Sequence, residues 1–346
     1  TGPVLSSNVH PFGVGLIAAY LLKYFPDLIK IDLFKYPHDL TSALEKQSPN
    51  IMGFSNYSWT LDLSYEYTRK IKKHFPETTV VFGGPNYGDA PEEVDQFWRE
   101  YPLIDFCIVK EGENAMVEFI KAYISNNQDG SKLKQSETRI PNCHYLYNSN
   151  VIKGELLPRI SIDEIPSPYL LGLMDKFFDH QLIPMIHTTR GCPFKCTFCA
   201  EGARYYQKVK HQTDLTEELE YIAQRIVGRS ELYITDANFG MYKEDLQKAH
   251  QIAEIQQKYN FPDFIHVSSG KNQKERILEV ATIVNGAMRS VAAALQSTDN
   301  NVLKNVNRSN ISLEALTEVA QKASEAKTDT YTEIILALPG DTVEAH

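Results

Sequence analysis

Along the first third of the chain, short β-branched runs alternate with amphipathic stretches, the pattern of a parallel sheet covered by helices. The periodicity predicts helices at about residues 13–25, 61–75 and 114–124. Strands read KIDLF from Lys30, NIMGFS from Asn50, TVVFGG from Thr79 and FCIVKEG from Phe106. Turn residues stand just past these strands, at Asn56, at Gly83 and Gly84 before Pro85, and at Gly112. Open α/β sheets bind their ligands at such strand ends. From residue 126 to 135 the chain turns polar, and residues 140–184 carry five prolines. The expected organisation is therefore a doubly wound, Rossmann-like domain over 1–135, a linker over 136–182 and a second domain over 183–346. In that second domain the alternation restarts with PMIHTTRG, ELYITDANF, FIHVSSG, RSVAAALQS and TEIILALPG. Helices are predicted between them at 215–226, 243–259, 274–284 and 312–327. Sequential β/α units without a hairpin fit a full or partial (β/α) TIM-type barrel, whose active sites lie at strand C-terminal ends.

Composition narrows the class. The 346 residues are 42% hydrophobic and 23% charged, which excludes a disordered or fibrous chain. A net charge of −9 argues against broad binding to nucleic acid or anionic lipid. The most apolar stretch, residues 13–22, is far short of the roughly 20 residues a membrane span requires. Of the five cysteines, Cys192, Cys196 and Cys199 crowd together, which is poor geometry for a disulfide framework and points to a reducing, cytoplasmic setting. The chain starts at Thr1 without Met and stops at His346 just after a helix N-cap pattern, so it reads as a fragment cut at both ends.

The run TTRGCPFKCTFCAEG follows the first barrel strand and spaces its thiols as CxxxCxxC. Thiolates select zinc or iron–sulfur clusters. A structural zinc site wants a fourth ligand, for which Cys107, Cys143 or a histidine would serve; three thiolates instead leave one iron of a four-iron cluster open to substrate.

CxxxCxxC with an aromatic residue, Phe198, before the last cysteine resembles the signature of the radical S-adenosylmethionine (SAM) superfamily. The resemblance implies a 4Fe-4S cluster on Cys192, Cys196 and Cys199, with SAM on its open iron and reductive cleavage to a 5'-deoxyadenosyl radical. It extends to later strand ends. Asp236 and Asn238 stand where the family holds the SAM amino group, and Ser268 and Lys271 where it holds the carboxylate or ribose. Gln296 and Ser297 match a ribose motif, and Leu338 and Pro339, with Gly340, match a segment that packs on adenine. Each also has a bland reading, as a cap, a surface residue or a strand-to-helix turn. A sixth barrel strand is not found, so the barrel is expected to be truncated at its carboxy end. Tyr205, Tyr206, Lys208 and Lys210 read equally as pocket lining or as a solvated segment.

Gly13, Gly15 and Ala18 satisfy GxGxxA, but a tight strand-to-helix turn is not available there and Asp32 falls inside its strand, so a dinucleotide site is rejected. HPFGVGLIAAYL, VVFGGPN and VKEGENAM instead resemble, in matching order, the cobalamin-binding domain that precedes the barrel in one radical SAM subgroup. That resemblance makes Ser55, Asn56, Gly83, Gly84, Gly112 and Glu113 candidate corrin contacts, small residues letting a flat macrocycle approach the backbone. None of the ten histidines completes DxHxxG, so no lower cobalt ligand is assigned; His10 and His38 read as surface or capping residues. Tyr57, Trp59 and Tyr65 read as aromatic packing or a corrin cap. The implied reaction is methyl transfer to an unactivated atom of a small molecule, with an electron donor such as flavodoxin or ferredoxin. A cobalamin-independent rearrangement, cyclisation or oxidation is the alternative, and a noncatalytic zinc module the remote one.

Overall fold

The computed structural model describes residues 8–270, 272–288, 290–292, 295–310, 312, 317, 321 and 329–343. It divides into two compact units. One comprises residues 1–7, 13–160 and 165–173, and the other residues 8–12, 161–164 and 174–346.

The first unit is built on a five-stranded sheet. Its elements are α1 (Phe12–Tyr24), α2 (Pro37–Leu44), β1 (Ile51–Ser55), α3 (Leu61–His74), β2 (Thr79–Gly83), α4 (Pro91–Glu100), β3 (Phe106–Ile108), α5 (Gly112–Ser125), α6 (Gly130–Gln135), β4 (Cys143–Tyr147) and β5 (Asn150–Lys153). Strands β1, β2 and β3 are parallel neighbours, β4 pairs antiparallel with β3, and β5 pairs antiparallel with β4. The central strand β2 is apolar without alternation because both its faces are covered, and Val80, Val81 and Phe82 are buried. Helix α3 buries Leu61, Ser64, Tyr65, Thr68 and Ile71 at helical spacing. Asp62 begins it and Lys72, Lys73 and His74 end it, charges that suit the helix dipole.

Two expectations change here. Residues 143–153, placed in a linker, form a hairpin of the first sheet. Asn148 and Ser149 both take positive φ, the backbone of a two-residue turn matching strand twist. KIDLF, read as a strand, does not join a sheet among the described residues.

The second unit follows with β6 (Met185–Ile186), β7 (Thr189–Arg190), β8 (Lys210–His211), α7 (Thr216–Arg225), β9 (Glu231–Phe239), α8 (Glu244–Tyr259), β10 (Phe264–Ser269), α9 (Lys274–Ile283), β11 (Ser290–Ala292), α10 (Asn300–Asn305) and β12 (Asp329–Tyr331). β6, β9 and β10 lie parallel in that order, and β11 pairs parallel with β12, with helices as the crossovers. These are β/α units of barrel type. Along β9, Leu232, Ile234, Asp236 and Asn238 are all buried at a spacing of two, so an apolar face changes to a polar one at the strand's carboxy end. The last predicted strand is displaced: β12 covers residues 329–331, and TEIILALPG keeps only an isolated bridge from Ile334 to Gln296. The helix predicted over 312–327 falls almost wholly outside the described residues. No described helix is long and apolar enough to cross a membrane.

Candidate functional site

The three thiols stand on the loop that leaves β7 through Gly191, whose φ of 100° is open to glycine. The loop is closed by its own backbone: Cys192 N donates to Tyr206 O at 3.0 Å, Cys199 N to Cys196 O at 3.2 Å and Gly202 N to Cys199 O at 2.9 Å. A Cβ on Gly202 would stand 2.1 Å from Cys196 O, so the chain passes too tightly for any other residue. Cys196 is buried, Cys192 is half-buried, and Cys199 and Phe198 are exposed.

A second segment clasps this loop from across the unit. Thr197 N donates to Val306 O at 3.1 Å, and Asn307 Nδ2 to Lys195 O at 3.4 Å. Two side-chain nitrogens reach the sulfurs: Asn238 Nδ2 lies 3.2 Å from Cys192 Sγ and Arg308 Nη1 lies 3.9 Å from Cys196 Sγ. Arg308 and its neighbours escaped the sequence reading because they act over 112 positions and carry no periodicity. The only signal was an Asn-rich run, NVNR, directly after a short helix.

The other expected SAM contacts are placed unevenly. Asp236 is buried and its carboxylate is spent within the protein, accepting from Thr188 N at 2.8 Å, Thr188 Oγ1 at 2.5 Å and Thr189 N at 3.0 Å. Burial pushes its pKa up while these donors oppose the shift. It orients the start of the thiol loop. Gln296 is buried at φ 66°, its backbone bonded to Glu333 and Ile335. The Ser297 hydroxyl accepts from Asp299 N at 3.1 Å, a local turn of the kind Ser favours. Leu338 packs in a core cluster with Val302 and Val306. Pro339 is exposed and its carbonyl accepts from Asn305 Nδ2 at 2.9 Å. Ser268 is exposed, beside a register shift between β10 and β9. Lys271 lies outside the described residues.

In the first unit the ends of β1 and β2 are knitted together. Asn56 N donates to Gly83 O at 2.8 Å, Asn86 N to Asn56 O at 3.1 Å, and Asn56 Nδ2 to Asn86 O at 3.1 Å. Gly84, at φ 147°, is required there, because a Cβ would stand 2.5 Å from Asn56 O. Asn56 is thus a loop staple, with its side chain turned to protein. Ser55 and Gly83 are half-buried and keep the strand ends low. Gly112 owes its size to helix packing, since a Cβ would meet Ile17 at 2.8 Å, and Glu113 is buried in the first turn of α5. His38 is exposed beside Asp39, whereas His10, expected at the surface, is buried against Phe178. Tyr57 and Trp59 are exposed and stacked 4.9 Å apart, and Tyr65 is buried against Tyr101.

These features define an α/β protein with a clustered thiol loop: a doubly wound unit with low strand ends, and a barrel-type unit with three thiols on the loop after β7. The family models identify both. The radical SAM superfamily matches residues 186–345 and the B12 binding domain matches residues 3–120. The chain belongs to the radical SAM superfamily and carries a B12-binding domain ahead of the radical SAM domain. It is 29% identical to a cobalamin-dependent radical SAM methyltransferase, TokK, of Streptomyces tokunonensis, over 98% of this chain and 50% of that protein. It is 31% identical to the 2-(S-pantetheinyl)-carbapenam-3-carboxylate methyltransferase of Streptantibioticus cattleyicolor, over 84% of this chain and 43% of that protein. The chain thus spans about half the length of these curated relatives. Its fold matches the cobalamin-dependent radical SAM enzyme OxsB with aqua-cobalamin and SAM bound, at a TM-score of 0.69 and 20% identity over 94% of this chain and 46% of the other. It also matches the radical SAM methyltransferase TsrM of Kitasatospora setae, at 0.69 and 14% over 97% and 67%.

Membership implies a 4Fe-4S cluster, SAM and cobalamin. The donor set fits the cluster, offering three thiols on one closed loop with nitrogen donors near two of them. Among the described residues no three His, Cys, Asp or Glu side chains converge tightly enough for a single ion. Cys107 and Cys143 are buried in the first sheet. The low strand ends at Ser55, Gly83 and Gly84 fit the approach of a flat macrocycle.

Proposed function

We propose that this chain is the cobalamin-binding and radical-generating part of a methyltransferase acting on an unactivated atom of a small molecule. One observation carries the reading: a B12-binding domain and a three-thiol radical SAM domain share a chain that aligns over 98% and 84% of its length with two named methyltransferases. When bound, the reduced cluster and SAM supply a 5'-deoxyadenosyl radical that removes a substrate hydrogen, while cobalamin supplies the methyl group.

The chain's own residues divide the work. Cys192, Cys196 and Cys199 hold the cluster, and Asp236 fixes Thr188 and Thr189, which lead into their loop. Asn238, Gln296, Ser297, Ser268 and the backbone around Leu338 and Pro339 line the SAM side, with Phe198 exposed beside the last thiol, and the family resemblance alone assigns Lys271 to SAM. Ser55, Gly83 and Gly84 form the corrin floor, stapled from beneath by Asn56, with Gly112 and Glu113 behind them. Electrons come from a flavodoxin or ferredoxin, which fits a cytoplasmic setting. The first acceptor to try is 2-(S-pantetheinyl)-carbapenam-3-carboxylate, taken from the name of the second relative.

The test is an anaerobic titration of hydroxocobalamin into the iron-reconstituted full-length protein, followed by incubation with SAM, dithionite and that acceptor. Saturable cobalamin binding with reductive SAM cleavage is expected. Absence of cobalamin binding in folded, iron-loaded protein would overturn the methyl-transfer reading and leave adenosyl-radical chemistry alone.

A further inference from the structure

Resting on the radical SAM reading and its need for an electron from outside the chain, we infer that Lys195, Arg204 and Lys304 form the docking surface for the donor, a small one-electron carrier protein with an acidic rim around its redox group. Residues 190–210, which carry the three thiols, hold five basic residues and one acidic residue, in a chain of net charge −9. Residues 300–310 add Lys304 and Arg308 and no acid. The fold brings these two segments together. Asn307 Nδ2 donates to Lys195 O at 3.4 Å and Asn307 N to Lys304 O at 3.2 Å, so one residue joins the two lysines. Arg204 stands on the tight return of the same loop, two positions after Gly202, whose N donates to Cys199 O at 2.9 Å. Lys195 directly precedes Cys196, so this surface begins one residue from a thiol.

Lys195, Arg204 and Lys304 are exposed, and among the described residues none of the three is in an ion pair. Other cations of this unit are neutralised, Lys258 by Glu220 and Arg229 by Glu231. A positive edge left unneutralised on an acidic chain raises the encounter rate of an oppositely charged partner and orients it before contact. Electron-transfer encounters bury little surface, so a few rim charges weigh heavily in them. The step itself balances simply: the reduced carrier loses one electron, the oxidised cluster gains it, and no proton need move.

The experiment uses the iron-reconstituted full chain, with iron per chain measured first and a flavodoxin of net negative charge as the probe. Binding of the oxidised flavodoxin is followed by calorimetry, and reduction of the cluster by its loss of visible absorbance after mixing with reduced flavodoxin. In the unaltered chain both affinity and second-order rate are expected to fall about tenfold between roughly 20 and 200 mM salt, as the screening length shortens. With Lys195→Gln, Arg204→Gln and Lys304→Gln combined, both are expected to fall about tenfold at low salt. Reduction by photoreduced deazariboflavin, an uncharged small donor, is expected to be unchanged in that variant. The charge-keeping combination of Lys195→Arg, Arg204→Lys and Lys304→Arg is expected to stay within about twofold of the unaltered chain. A flavodoxin affinity and rate that the neutral variant leaves unaltered overturn the inference. So does an equal loss with both donors, which would give the cations a part in the thiol loop's own architecture. Should the neutral variant fail to retain iron, the salt series on the unaltered chain decides, since a flat response there overturns the inference equally. If the unaltered chain takes up no four-iron cluster, or its cluster accepts an electron from neither donor, the radical SAM reading has failed instead.

Discussion

Asp105 in the first unit and Asp236 and Asp245 in the second are carboxylates withdrawn from water, and they are held in opposite ways. Asp105 sits between two lysines, with Lys72 Nζ at 2.5 Å and Lys134 Nζ at 2.9 Å, and also accepts from Val80 N at 2.8 Å. It ties α3 and α6 to β2 as a neutralised staple. Asp236 and Asp245 are deeper, and among the described residues only neutral donors hold them. Burial pushes Asp245 up to about 7. Buried charge is ordinarily paired, so two buried carboxylates hydrogen-bonded to neutral donors, one near the end of β9 and one in the first turn of α8, mark where this fold gives up stability. The cost falls beside the thiol loop, and the first unit has no such site among these three.

The two units should therefore fail separately. Cys196→Ala is expected to abolish iron–sulfur absorbance and reductive SAM cleavage while hydroxocobalamin binding persists, both read on one anaerobic preparation. Retained SAM cleavage would sink the assignment of the cluster. Both tryptophans, Trp59 and Trp98, lie in the first unit, so tryptophan fluorescence in urea reports that unit, and hydrogen exchange in α8 reports the other.

Asp245→Asn gives the next largest effect. With a folded pKa above the usual carboxylate value, the folded chain binds more protons than the unfolded chain between about pH 4 and 7. Its stabilising contribution is complete below that window and is lost as pH rises through it, by at most about 4 kcal/mol. Exchange protection in α8 should fall from pH 5 to 8 in the unaltered chain and stay flatter in Asp245→Asn; parallel profiles would refute the account. Asp105→Asn leaves two lysines facing a neutral amide and should cost about 2 kcal/mol, between surface and buried ion pairs. Its urea midpoint by fluorescence should fall while SAM cleavage per cluster is unchanged.

Period and turn chemistry made most of the fold legible. The boundaries of α1, α3, α7, α8 and α9 fall within about two residues of the sequence reading, because their apolar faces repeat at helical spacing. The hairpin of β4 and β5 was hidden because prolines on either side resemble a linker and its turn, Asn148-Ser149, lacks glycine. The thiol loop was legible as a local motif. The clasp from residues 306–308 was not, and neither was the internal use of Asp236, since a carboxylate looks the same in a sequence whether it faces a ligand or a backbone amide.

The smallest effect separates the units most cleanly. Each contains an aspartate N-cap on a six-residue helix. Asp129 Oδ1 accepts from Ser131 N at 2.8 Å and Lys132 N at 3.1 Å at the start of α6, and Asp299 Oδ1 accepts from Asn301 N at 2.7 Å and Val302 N at 3.0 Å at the start of α10. Replacing either by Ala should cost about 1 kcal/mol, because the bonds lost are the same. The consequences should differ. Helix α6 leads to Ser136 and the sheet, whereas α10 delivers Val306, Asn307 and Arg308 to the thiol loop. Asp129→Ala should lower the fluorescence midpoint and leave iron content and cluster spectrum intact. Asp299→Ala should leave the midpoint alone and speed the loss of iron to a chelator by about fivefold, the rate equivalent of that 1 kcal/mol. Equal chelation rates in the two variants would mean that the clasp does not hold the cluster loop.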